Sequence, residues 1–87
     1  MWKAAISIAG NIAEGFGRWH TKDKLNFYFF SRGSANEEIS HLLCGKKVKY
    51  FTEEEIFPII DKCKIVIEGL NKIIKGLNFN PQPKPQP

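Results

Sequence analysis

Ile56, Cys63, Leu70 and Leu77 stand seven residues apart, and the pairs Ile59/Ile60, Val66/Ile67 and Ile73/Ile74 fall between them. Apolar residues sustained on this spacing over three heptads form the stripe of a helix that packs along a left-handed bundle or coiled coil. A strand cannot use the pattern, because its faces alternate with period two. The stripe therefore makes the C-terminal part of the chain helical and requires other helices to receive it. Its beginning is marked by Thr52-Glu53-Glu54-Glu55. This reads as a capping box, in which the threonine oxygen accepts the Glu55 N–H and the Glu55 carboxylate accepts the Thr52 N–H. Pro58 lacks an N–H and crowds the carbonyl of Glu54, which predicts a kink near residues 54–58 or a helix that begins in earnest at Pro58.

The partners of that helix lie upstream. Ala5, Ile8, Ile12 and Phe16 recur at steps of three and four and predict a first helix over residues 2–16. Gly15 or Gly17 is expected to close it in the left-handed conformation, with Arg18 beside the negative end of its dipole. Thr21 can cap a second helix over residues 21–50, with Asp23 in its first turn. Leu25, Tyr28, Phe29, Arg32, Ala35, Ile39, Leu42 and Leu43 trace one face of that helix, and Phe27, Phe30 and Ser34 trace another. Two apolar faces need two neighbours, so the helix belongs to a multi-helix bundle or an oligomer. Gly33 costs about 1 kcal/mol relative to alanine in mid-helix. Either a close crossing with another helix compensates, or the helix breaks at Arg32-Gly33.

The whole reads as an all-α, up-and-down bundle of three helices over residues 1–77, followed by a disordered Pro-rich tail over 78–87. A chain of 87 residues has room for one domain, and a domain of that size hides only about 60% of its unfolded surface. Cys44 and Cys63 are widely separated and form no Cys-x-x-Cys, which excludes a zinc finger or a thioredoxin-like motif and fits reduced thiols in a cytoplasmic protein. Ser7, Gly10 and Asn11 interrupt the N-terminal apolar run, so no signal peptide is read there. No run approaches the roughly 20 apolar residues of a membrane span.

Candidate chemistry is sparse. Asn11 and Glu14 share a helix face, Arg18 lies a turn beyond, and Glu37 can join them from the second helix. No nucleophile with an adjacent base accompanies them, so the set reads as a polar network that fixes the register between helices. His20 and His41 lack the Glu-x-x-His spacing of a dimetal carboxylate bundle, and no cofactor fingerprint is present. No metal, cofactor or small-molecule substrate is expected, and the chain is read as non-enzymatic.

Charge is unevenly placed. Five basic and two acidic residues in 1–36 give +3, three and six in 37–61 give −3, and five and one in 62–87 give +4. Lys22, Lys24, Lys46, Lys47 and Lys49 are the candidates for contact with a phosphate backbone. Phe27, Tyr28, Phe29 and Phe30 could stack bases, although their spacing fits core packing better.

The segment Ala4-Ala5-Ile6-Ser7-Ile8, followed by Asn11-Ile12-Ala13-Glu14-Gly15-Phe16-Gly17-Arg18, resembles the signature of the four-helix-bundle family also called the 23S rRNA-intervening-sequence proteins. Arg32-Gly33-Ser34-Ala35 with Glu37, and the Tyr50-Phe51 turn into Thr52-Glu53-Glu54-Glu55, are similar to that family's second core helix and its next junction. The resemblance spans about residues 3–77. It implies an up-and-down bundle, assembly as a homopentamer and no enzymatic activity. It also implies two roles: a scaffold that binds RNA, DNA or a ribonucleoprotein, or an adaptor like the accessory protein of a diversity-generating-retroelement reverse transcriptase. Family members carry a further amphipathic helix before the Ala-Ala-Ile-Ser-Ile segment. The chain is thus expected to be a short or truncated member, or one whose exposed groove another chain covers.

Overall fold

The computed structural model describes residues 2–79, with side chains described from Lys3 to Asn78. The described chain is all α: α1 spans Trp2–Gly17, α2 Thr21–Lys47 and α3 Glu53–Phe79. The helices run up, down and up. The expected end of α3 at residue 77 is exceeded by two residues, and positions 80–87 of the expected tail lie outside the described residues.

The layout is centred on α2. Both α1 and α3 pack along it, whereas no Cα of α1 lies within 8 Å of a Cα of α3. The residues of α2 that become buried are Tyr28, Ser31, Ala35, Glu38, Leu42 and Gly45, at steps of three and four. This strip differs from the expected faces, since Phe29, Phe30 and Leu43 are exposed. The buried strip is the one that α1 and α3 cover together, and Phe29, Phe30 and Leu43 fall to either side of it. Most of the α3 stripe is as expected: Ile56, Ile60, Cys63, Leu70, Ile74 and Leu77 are buried and Ile59, Val66 and Ile67 are half-buried, whereas Ile73 is exposed. Ile56 and Ile60 cluster with Leu42 at one end of the α2/α3 seam, and Leu70, Ile74 and Leu77 cluster with Tyr28 at the other. Each such side chain contributes about 1.5–3 kcal/mol of burial.

The helix ends show how the turns are built. Thr52 N donates to Glu55 Oε1 at 2.8 Å and Glu55 N donates to Thr52 Oγ1 at 3.3 Å, so the capping box is formed. From it α3 runs unbroken through Pro58. The missing N–H forfeits one bond to the Glu54 carbonyl, and the anchored first turn holds the helix start upstream of it.

α2 ends at Lys47, three residues before the expected 50. Tyr50 N donates to Gly45 O at 2.8 Å and Lys49 N to Lys46 O at 3.0 Å, with Lys49 at φ 67°. These are the paired bonds of a Schellman motif, with lysine in the left-handed position that glycine usually fills.

No glycine among the described residues has positive φ, so neither Gly15 nor Gly17 caps α1 as expected. Instead Lys24 Nζ donates to the carbonyls of Gly15 and Phe16, at 3.3 and 3.1 Å. At the start of α2 the cap position is His20, and Thr21 is the first helical residue. The mid-helix Gly33 is neither a close crossing nor a break: α2 is continuous there, and a Cβ on Gly33 would meet nothing within 4 Å. The close approaches are made at Gly15, against Tyr28, and at Gly45, against Phe51.

Candidate interaction groove

Besides the Lys24 bonds to the end of α1, serines carry polar contacts between α1 and α2. Ser7 Oγ and Ser34 Oγ lie 3.0 Å apart, and Ser31 Oγ donates to the Ile8 carbonyl at 2.9 Å. The residues expected to form a single network are distributed differently. Asn11 Nδ2 donates to the Ser7 carbonyl of its own helix at 2.8 Å. Glu14 and Arg18 form an exposed ion pair at 3.3 Å, and the Arg18 guanidinium rests 4.8 Å above the Phe27 ring. Glu37 is exposed and borders a shallow depression with Lys3, Ser34 and His41. On an amphipathic helix a one-residue shift turns a side chain by about 100°, and the carboxylate that enters the bundle is Glu38. For Ser31 the readable signal was its place on the same helical strip as Tyr28 and Ala35.

The five candidate lysines do not form one patch. Lys22 and Lys24 occupy the first turn of α2, whereas Lys46 and Lys47 end it and Lys49 follows. At 1.5 Å per residue the two groups are about 37 Å apart. Lys24 is occupied with the end of α1 and lies 5.8 Å from the Phe16 ring centre. Lys46 pairs with Glu53 at 2.7 Å and lies 5.5 Å from the Phe57 ring centre. Lys22, Lys47 and Lys49 are exposed.

A groove of about 510 Å³ lies between α1 and α3, with α2 as its floor. Ala4, Ala5, Ile8, Ala9 and Ile12 form one wall, and Ile59, Lys62, Cys63 and Val66 form the other. These walls are almost wholly aliphatic because α1 and α3 each turn one edge toward α2 and the adjacent edge toward the gap. Glu38 is the floor's acidic group and is only 9% exposed. Burial pushes the Cys63 thiol above its ordinary value, and the Glu38 carboxylate adds to the rise. The groove can bury hydrocarbon and meet a cation at its floor.

Residues 1–72 match the family described as 23S rRNA-intervening sequence protein. The chain belongs to that family. No curated protein and no solved structure matches it. In this 23S rRNA-intervening sequence protein, the signature segment from Ala4 to Arg18 supplies both the serine seam against α2 and one wall of the groove. Among the described residues, no three His, Cys, Asp or Glu side chains are gathered as metal ligands, and no helix is long and apolar enough to cross a membrane.

Proposed function

We propose that this 23S rRNA-intervening sequence protein is a non-enzymatic helical scaffold that works as a cytoplasmic homo-oligomer. The open α1/α3 groove is the observation that carries the reading. Beside the groove, Ile6, Phe16, Phe30 and Ile65 are each more than half exposed, and association of copies would cover apolar surface of this kind. Family resemblance makes a pentamer the reference assembly.

Light scattering on the purified chain after size exclusion tests this reading: a mass of several chains is expected, and the mass of one chain at every concentration overturns it. An adaptor for a different protein, such as a reverse transcriptase, would use the same groove and would hold that protein in a pull-down whatever the salt concentration. Nucleic-acid contact through Lys22, Lys47 and Lys49 has weaker support, because these exposed cations stand at the two ends of α2.

A further inference from the structure

We draw no further inference here: the strongest candidate, the apolar groove between α1 and α3 walled by Ala5, Ile8, Ile59 and Val66, carries nothing because nothing in the structure shows what covers it.

Discussion

The ring of Tyr28 lies against the backbone of Gly15 so closely that a Cβ on Gly15 would stand 2.7 Å from Tyr28 Cε1 and 3.2 Å from Phe27 Cβ. Tyr28 packs in the cluster of Leu70, Ile74 and Leu77, so moving its ring away would disturb that packing. Gly15→Ala is therefore expected to lower stability by about 1–3 kcal/mol through overpacking, despite its better helix propensity. Gly33→Ala, with open space around the new methyl, is expected to raise stability by up to about 1 kcal/mol. Urea unfolding of the two variants checks the contrast, and equal midpoints would contradict it.

Lys49 holds the left-handed position of the Schellman turn at φ 67°, where a Cβ costs about 1 kcal/mol. Lys49→Gly removes that strain and keeps both backbone bonds, so a rise in stability of up to about 1 kcal/mol is expected. A lower thermal midpoint for Lys49→Gly would argue against this account of the turn.

The serine seam gives a third expectation. Ser31 is fully buried and donates to the Ile8 carbonyl, so Ser31→Ala should cost about 1 kcal/mol, the net worth of one buried hydrogen bond. For Ser7 and Ser34, a double-mutant cycle with alanine should return a coupling of about 0.5–1 kcal/mol. Zero coupling would mean that the two hydroxyls do not bond to each other in solution.

The fourth expectation concerns pH. Burial, with the Glu38 carboxylate adding to it, raises the Cys63 thiol from its ordinary 9.0, so the unfolded chain gives up this proton at a lower pH than the folded one. The sign follows by linkage: the contribution is complete below pH 9.0 and is lost as pH climbs through the raised folded value. Stability should fall over that window, and Cys63→Ala should flatten the fall. Alkylation by iodoacetamide should modify the exposed Cys44 well before Cys63.

How far the sequence could be read depended on which helix was asked. α3 is pressed from one side, so its seven-residue spacing mapped directly onto burial at Ile56, Cys63, Leu70 and Leu77. The Thr52/Glu55 box was equally readable because its bonds are local. α2 was misread because tertiary packing on two sides overrode hydropathy: Ser31, Glu38 and Gly45 went in, and Phe29, Phe30 and Leu43 came out. The charged groups of the groove were not anticipated. Glu37 was singled out where Glu38 faces the gap, and no local pattern separates two adjacent glutamates before the helix phase is known.

With α1 and α3 each packed along α2 and no Cα of one within 8 Å of a Cα of the other, the folded state has two main seams that share a single helix. Either flank can lift while the other seam stays shut. Amide protons of α1 and α3 then exchange through separate partial openings, and those of α2 along its strip from Tyr28 to Leu42 exchange only when both seams are lost. The middle of α2 is thus the last part of this chain to give up its amide protons to solvent.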